Sequence, residues 1–490
     1  MRRCGVLMPI FSLASEYGIG CFSKEAYRFI EFCERTQLRV WQMLPLGPTS
    51  YGDSPYQSFS AFAMNPYFLD LEDLVSRGLL TEQECVTALK EDVSVIHYEK
   101  QYRTRFGVLK KAFERFMQHP YDTYDSFKKE QADWIYDFAL YMAIKDAHDG
   151  ASWQEWEKPL AMREEAAMKE ARQTYRTDVE FHCFLQYFCY LEWETLHNYA
   201  KEHGVSLMGD IPIYVAYDSA DVWSHPELFF LDETGKPKRV AGCPPDAFSE
   251  NGQLWGNPLY DWEKHKENGY DWWMKRIRHN FQLFDELRID HFRGFEAYFA
   301  IPYGREDAKE GAWEEGPGEA FFETLKQTVP QAKIVAEDLG TLTDSVRQLL
   351  KKTGYPGMKV LEFAFCTNEK SEYLPHRYQT NCVVYTGTHD NDTVKGWYAT
   401  MPEDEKEFLT DYIGRDVDEE SVTWELIRLA MASVADTCII PIQDFCNLGT
   451  DARINTPSTL GGNWLWRIGK EQFTPELEKQ IKTMIALYER

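Results

Sequence analysis

Eight short apolar runs recur along the chain, and helical periodicity follows most of them after a polar loop. A continuous apolar run of this length is typical of a strand buried on both faces of a parallel sheet. Alternating strands and helices require crossover connections, so the pattern predicts a (β/α)₈ barrel, with a doubly wound open sheet as the alternative. The predicted strands are Cys4–Ile10, Arg39–Leu46, Ser206–Val215, Glu286–Phe292, Lys333–Leu339, Met358–Phe363, Cys382–Thr386 and Cys438–Phe445.

The uneven spacing of these strands predicts how the chain is organised. Residues 1–46 hold the first two strands, residues 47–205 form a largely helical insertion, and residues 206–490 complete the barrel. A second insertion, residues 216–285, is rich in Pro, Gly and Trp, and no separate C-terminal β-domain is expected. Insertions that leave a barrel at the carboxyl ends of its strands crowd the face where barrel active sites lie. The helical segments predicted in the first insertion are Leu80–Leu89, Arg103–Phe116, Trp134–Asp146 and Val179–His203.

The charge balance narrows the range of partners. With 53 basic and 79 acidic residues, the formal charge of the chain is −26. Such a surface repels phosphate backbones and anionic lipids, so neither nucleic acid nor a membrane surface is expected as a partner. The charge suits a neutral substrate, although it also serves solubility alone. The 15 Trp and 28 Tyr supply flat apolar faces with polar edges, on which sugar rings can stack.

Cysteine usage and the N-terminus bear on the compartment. The eleven cysteines are odd in number and contain no C-x-x-C pair, which argues against a disulfide framework and a zinc site. Arg2 and Arg3 precede an apolar run, as in a signal peptide, but Pro9 interrupts it and no cleavage site follows. The sequence contains no stretch of 18 apolar residues, so no membrane span is expected. We therefore expect a cytoplasmic protein.

The segment Leu287–His291 places two charged side chains where chemistry could occur. Residues two apart in a strand point to the same side, so Arg288 and Asp290 should project together toward the barrel mouth. A neighbouring guanidinium favours the ionised carboxylate and typically lowers its pKa by about 1–3 units. Asp290 is therefore a candidate nucleophile, and a structural salt bridge is the alternative.

Two further strands also end in acidic residues. The fifth ends in Glu337 and Asp338, of which only one can face the site, and a partly desolvated Glu there suits a general acid. The seventh is followed by His389 and Asp390, a pair able to bind adjacent sugar hydroxyls. A calcium loop is the rival explanation for Asp390-Asn-Asp, but the Gly and Glu that such a loop requires are missing. No metal is expected.

In this order, Arg-x-Asp, Glu and His-Asp resemble the signature regions of the α-amylase clan. Within that clan the chain closely resembles the 4-α-glucanotransferases of glycoside hydrolase family 77, over residues 1 to about 465. The supporting segments are Ser50–Gln57, Gly209–Val215, Ala241–Phe248, Gly252–Pro258, Arg288–Gly294 and Ala336–Gly340. Unlike in ordinary α-amylases, the third-strand region carries Tyr214 and Val215 in place of an Asn-His pair. This departure fits a calcium-independent transferase.

The resemblance implies a fold, a reaction and a set of site residues. Asp290 would attack the anomeric carbon, Glu337 would serve as acid and then base, and Asp390 would hold the 2- and 3-hydroxyls of the reacting ring. No cofactor is implied. The substrates would be maltooligosaccharides and starch- or glycogen-type α-glucans, with glucose as a further acceptor. Loop 50–57 and loop 242–258 would bind glucan, and the latter would favour a sugar acceptor over water. The substrate-binding residues implied are Tyr51, Ser54, Tyr56, Asp210, Asp246, Gln253, Trp255, Arg288, His291 and His389, with Phe248 as a further candidate.

Two other functions remain open from the sequence. A hydrolase would release short sugars and reducing ends, and a catalytically inactive glucan-binding protein would lack turnover. The presence of all three carboxylates and Arg288 argues against the second. The sequence gives no indication of donor length, cyclic products, pathway or oligomeric state.

Overall fold

A computed structural model describes residues 2–50, 52–89, 94–245, 250–340, 342–368 and 370–490. All eight predicted strands are present, although each ends earlier than the apolar run suggested. The strands are β1 (Arg3–Leu7), β2 (Val40–Gln42), β3 (Ser206–Ile211), β4 (Arg239–Cys243), β5 (Gln253–Pro258), β6 (Glu286–Ile289), β7 (Ala297–Pro302), β8 (Ala312–Glu315), β9 (Ile334–Ala336), β10 (Gly357–Val360), β11 (Cys382–Tyr385) and β12 (Thr437–Pro441).

Eight of these strands form one parallel sheet in the order β10-β11-β12-β1-β2-β3-β6-β9. The two edge strands meet, because the Ala336 N–H donates to the Pro356 carbonyl oxygen at 2.9 Å. The sheet is therefore a (β/α)₈ barrel, as predicted. Its interior is filled by apolar side chains from seven strands: Leu7, Val40, Met208, Val335, Met358, Val360, Val383, Tyr385 and Ile439.

The remaining barrel strand, β6, contributes charged side chains to this interior. Arg288 is in register with Asp210 on β3 and with Val335 on β9. One layer lower, Glu286 accepts hydrogen bonds from the Arg3 guanidinium at 2.5 and 2.6 Å. Charged side chains of β6 thus lie level with apolar ones such as Met208 and Val335, and Arg288 belongs to the site.

Helices surround the barrel and build the first insertion. The predicted helical segments of the insertion are all found, within a few residues, in α3, α4, α6 and α9. The helices are α1 (Lys24–Thr36), α2 (Leu71–Ser76), α3 (Glu82–Leu89), α4 (Tyr98–Phe116), α5 (Asp122–Glu130), α6 (Ile135–Ala147), α7 (Lys158–Ala161), α8 (Glu165–Thr174), α9 (Arg176–Glu202), α10 (Ala220–Ser224), α11 (Trp262–Glu267), α12 (Asp271–Leu283), α13 (Gly318–Thr328), α14 (Asp344–Thr353), α15 (Val394–Thr400), α16 (Glu403–Ile413), α17 (Val422–Ala432), α18 (Ile442–Phe445) and α19 (Pro475–Tyr488).

Local sequence explains where several helices begin and end. The Thr343 side chain accepts from the Val346 N–H at the start of α14, and Gly354 ends that helix at a φ of 73°. No helix within the described ranges is long and apolar enough to cross a membrane. The division of the chain at residues 47 and 206 stays a prediction.

A four-stranded antiparallel sheet that the sequence did not predict adjoins the barrel mouth. Its order is β5-β4-β7-β8, and β7 and β8 follow directly on the turn after β6. The hairpin of β4 and β5 coincides with loop 242–258, of which residues 246–249 lie outside the described part. This sheet therefore carries the segment expected to bind glucan.

Candidate active site

A buried guanidinium joins two carboxylates at the mouth of the barrel. Arg288 is only 4% exposed, and its Nη1 donates to both oxygens of Asp210 at 2.8 and 2.7 Å. Its Nη2 lies 3.0 Å from Oδ1 of Asp290. The Tyr56 hydroxyl donates to Asp210 at 2.7 Å. Arg288 and Asp210 thus lie beneath the site, while the side chain of Asp290 keeps 29% exposure and can be approached.

The pKa of Asp290 differs from the value expected from the contact with Arg288 alone. The pKa of Asp290 is raised to about 8: burial is the largest cause, Arg288 opposes it, and the neighbouring carboxylates Asp210, Glu337 and Asp390 add to the rise. The predicted net lowering of this pKa is therefore wrong. Arg288 divides its charge between two carboxylates, and desolvation outweighs its share at Asp290.

Glu337 lies beside Asp290 and is held by main-chain donors. Its Oε2 accepts from the His291 N–H at 2.7 Å, and its Oε1 accepts from the Leu339 N–H at 2.9 Å. Burial raises the pKa of Glu337, opposed by Arg288 and by these two hydrogen bonds. Asp338 makes a different contact, accepting from the Met358 N–H at 2.6 Å where β9 meets β10. The two adjacent acids diverge as strand geometry requires.

The residue that follows Asp290 has an unusual backbone. His291 has a φ of 52°, in the left-handed region that non-glycine residues seldom adopt. This turn directs its N–H to Glu337 and its ring edge-on to Trp255, at 4.8 Å between centroids and 89° between planes. Burial lowers the pKa of His291 to about 3, so the imidazole is neutral.

On the opposite side of the mouth, Asp390 projects half-exposed from a short turn. Its Oδ1 accepts from Nδ2 of Asn455 at 2.6 Å and lies 3.4 Å from Nε2 of His389. Burial lowers the pKa of His389, which leaves this imidazole neutral as well. Tyr56 stacks on His389 at 5.0 Å and 15°, and Trp464 approaches both rings. Aromatic faces and a carboxylate therefore meet at one place.

Two loops extend the site from this centre. In loop 50–57, the Ser54 hydroxyl accepts from the Tyr56 N–H at 3.3 Å and so shapes the turn that presents Tyr56. In the β4–β5 hairpin, Nε1 of Trp255 donates to Gln253 at 3.1 Å. Gln57 links the loops by donating to Oδ1 of Asn257 at 3.1 Å. Tyr51, Asp246 and Phe248 lie outside the described residues.

The structure adds residues that the sequence interpretation missed. Asn455 and Trp464 belong to the irregular segment after α18, which has no periodic pattern to single them out. Their only sequence signal is position, because a polar and aromatic segment after the eighth strand of a barrel emerges at its active face. Within the described ranges, no group of three His, Cys, Asp or Glu side chains is arranged to hold a metal ion.

Comparison with known proteins gives a consistent result. The model of glycoside hydrolase family 77, described as 4-alpha-glucanotransferase, matches residues 8–472. A 4-alpha-glucanotransferase of Clostridium butyricum is 45% identical over 99% of this chain and 100% of its own length. One of Thermus thermophilus is 43% identical over 100% of this chain and 99% of its own. Among solved structures, an amylomaltase from Streptococcus agalactiae in complex with acarbose superimposes with a TM-score of 0.97, at 40% identity and full coverage of both chains.

Proposed function

Since the chain belongs to the family of 4-alpha-glucanotransferases, we propose that its three mouth carboxylates transfer α-1,4-glucan segments by a retaining double displacement. The chain is an enzyme of the hexosyl-transferring type. The observation that carries the assignment of roles is the hydrogen bond from the His291 N–H to Glu337, which ties the second carboxylate to the residue after Asp290. A nucleophile and an acid flanking one bond are what this reaction requires, at about 5–5.5 Å between carboxyl groups.

Asp290 is the proposed nucleophile. It is the more solvent-accessible of the two carboxylates that Arg288 contacts, and it attacks the anomeric carbon as the carboxylate. Asp290 and Glu337 are neighbouring acids, so the ionisation of one affects the other. The guanidinium contacts Asp290 directly, so when the pair loses its first proton the charge rests on Asp290 and the remaining proton on Glu337.

Glu337 is the proposed acid and base. Protonated, it gives its proton to the departing O4 of the donor, and the resulting carboxylate then takes a proton from the O4 hydroxyl of the acceptor. Burial favours the protonated form before the first step. The two main-chain N–H groups stabilise the carboxylate formed in between.

Asp390 and the aromatic residues around it are the proposed binding site for the reacting ring. Asp390 holds the 2- and 3-hydroxyls, through contacts that strengthen as the ring flattens in the transition state. The neutral imidazoles of His291 and His389 bind neighbouring hydroxyls, and Tyr56 offers its face. We assign Arg288 and Asp210 to the support of Asp290, because both side chains are buried.

The β4–β5 hairpin is the proposed acceptor side. Gln253 and Trp255 would bind the incoming sugar, together with Asp246, and Ser54 and Tyr51 would extend the glucan contact from loop 50–57. Maltooligosaccharides, starch- or glycogen-type glucans and glucose are the proposed substrates. We further propose a cytoplasmic location, supported by eleven cysteines that are all free thiols, with no nucleic-acid or membrane partner for so acidic a chain.

Incubation with maltotriose tests the function. The wild-type protein should yield glucose together with maltooligosaccharides longer than maltotriose, at a nearly constant number of reducing ends. Asp290→Asn should lower the rate by about 10⁴-fold or more, since loss of a nucleophile removes the covalent route. A steady rise in reducing ends with only short products would identify a hydrolase instead. Turnover unchanged in Asp290→Asn would refute the assignment of the nucleophile.

A further inference from the structure

A second group of buried acids lies under the turn that carries Asp390. Glu362 follows β10 and is only 8% exposed, and Asp444 in α18 is 1% exposed. Neither forms a salt bridge within the described ranges. Asp444 accepts from the Thr386 hydroxyl at 2.5 Å and from the Val394 N–H at 2.9 Å. These residues come from strands β10 to β12, whose carboxyl ends adjoin the site.

Asn391 connects Glu362 to the turn. Its Nδ2 donates to Oε2 of Glu362 at 3.0 Å. Its Oδ1 accepts from both the N–H and the hydroxyl of Thr388, at 3.0 and 2.9 Å. The Thr388 hydroxyl oxygen in turn accepts from the Asp390 N–H at 3.3 Å. A continuous chain of hydrogen bonds therefore runs from Glu362 to the main chain of Asp390.

Glu362 has little freedom to move away from this contact. Its own N–H donates to the Thr386 carbonyl oxygen at 3.2 Å. Its Oε1 lies so close to Gly387 that a Cβ there would be 2.7 Å from it, so a larger residue at this position would displace the Glu362 carboxyl group. Burial, followed by the charge of Asp444, raises the pKa of Glu362 well above its usual value, although Asn391 and Arg453 oppose this. The raised pKa favours the neutral form of this side chain, and glutamine is the closest mimic of that form.

We propose that Glu362 is a positioning residue: through Asn391 it fixes the turn Thr388–Asn391 and so the direction in which Asp390 meets the reacting ring. This role rests on the function proposed above, because Asp390 is its target. Asn455 donates to the carboxylate of Asp390 at 2.6 Å, Arg453 donates to its carbonyl oxygen at 2.8 Å, and Glu362 reaches its N–H through Asn391 and Thr388. Separate supports of this kind suit a group whose hydrogen bonds must be ready in the transition state.

The first test separates positioning from general stability. Glu362→Ala should lower kcat for maltotriose by about 10- to 100-fold, since a displacement near 1 Å can cost about 10² in rate, while KM changes less than threefold. Glu362→Gln should restore kcat to within about twofold. Glu192→Ala is the matched control: Glu192 is also buried with a raised pKa and accepts a main-chain N–H, but in α9. It should lower the melting temperature and leave kcat unchanged.

A double-variant cycle tests the path through Asn391. Asn391→Ala should show the same loss of kcat as Glu362→Ala, and the double variant should lose no more than either single one. The proposal would be overturned if the losses of kcat of the two single variants multiply in the double variant. It would also be overturned if Glu362→Gln is as slow as Glu362→Ala. If Glu362→Ala does not fold, Asn391→Ala breaks the same contact from the turn.

Crystal structures of the variants give a result that does not depend on activity. In Glu362→Ala the turn should shift and take Asp390 with it, whereas Glu362→Gln should superimpose on the wild type. An unmoved turn in Glu362→Ala would reject the positioning role. A wild-type protein that leaves maltotriose unchanged would instead refute the proposed function, and the crystal structures would still decide the role of Glu362.

Discussion

The two sides of the barrel mouth differ in the partners that contact their carboxyl groups. On the side of β3, β6 and β9, Asp210 and Asp290 share the guanidinium of Arg288. On the side of β10, β11 and β12, the acids Glu362 and Asp444 contact amides, hydroxyls and main-chain N–H groups. The first arrangement is ionic, and the second is held together by neutral donors.

This difference corresponds to two separate needs of the proposed reaction. A nucleophile requires charge, and charge in a desolvated place requires a cation close by. A group that orients hydroxyls requires a fixed direction, which hydrogen bonds to neutral partners supply without adding a competing charge. We therefore expect substitutions on the ionic side to change rate and pH dependence, and those on the neutral side to change mainly stability or geometry.

Of the three comparisons that follow from this difference, the largest effect should separate two adjacent acids on the ionic side. Glu337→Gln removes the proton donor, so kcat for maltotriose should fall by about 10³-fold, in the range typical of general acid catalysis. The loss should be much smaller with α-maltosyl fluoride, because fluoride departs without a proton. Asp338→Asn is the matched control and should keep kcat within about tenfold. The assignment fails if Asp338→Asn is the slower of the two variants.

Removal of the shared cation should have an intermediate effect. The reaction needs ionised Asp290, so kcat/KM should rise with pH toward about 8 in the wild type. Arg288→Met takes away the group that lowers the pKa of Asp290. The rising limb should therefore move to still higher pH, with a loss of about 10- to 100-fold at pH 7, about tenfold for each unit of pKa. A pH–rate profile from pH 5 to 10 measures this.

The same variant also leaves Asp210 buried without its partner, which should cost about 3–5 kcal/mol of stability. Combining it with Asp210→Asn should recover much of that stability without recovering the rate. An unshifted pH profile in Arg288→Met would contradict the role of the cation.

The smallest effect on rate should come from Asp444 on the neutral side. Burial raises the pKa of Asp444 to about 6, above its value of about 3.9 in the unfolded chain. Its ionisation therefore opposes folding. As the pH rises from 4 to above 6, the free energy of unfolding of the wild type should fall by up to about 3 kcal/mol relative to that of Asp444→Asn. Denaturant unfolding of both proteins at pH 4, 5, 6 and 7 measures this difference. A difference in stability that stays constant with pH would show that Asp444 is not desolvated. The kcat of Asp444→Asn should differ from that of the wild type by less than about threefold.

Much of the barrel could be predicted from the sequence because its strands are buried on both faces. Such strands are continuous apolar runs, and eight of them leave few alternative folds. Their carboxyl ends were predicted too long, since Leu361–Phe363 and Ile442–Phe445 begin and end with an apolar residue but form short helices. The sheet of β4, β5, β7 and β8 was missed, because β8 is largely and β5 partly exposed, while β4 and β7 are short and carry Gly or Pro near their ends.

The candidate site could be predicted only in part. Arg288, Asp290 and Glu337 follow from strand position, but their roles came from the family resemblance. The net pKa of Asp290 depends on the number of carboxyl groups that surround Arg288, which is a property of the fold. Asn455 reaches Asp390 from 65 residues away in the chain, and no local pattern encodes such a contact.

The left-handed backbone of His291 has a consequence for how this protein could be stabilised. A side chain in that region costs about 1 kcal/mol, which glycine would avoid. His291→Gly would therefore relieve this backbone strain. The resulting protein would keep the turn and the N–H that faces Glu337, yet it would lose the ring that packs against Trp255. The strained backbone of His291 thus allows one residue to make two contacts. Its main-chain N–H donates to Glu337, and its ring packs against Trp255 on the proposed glucan-binding side of the site.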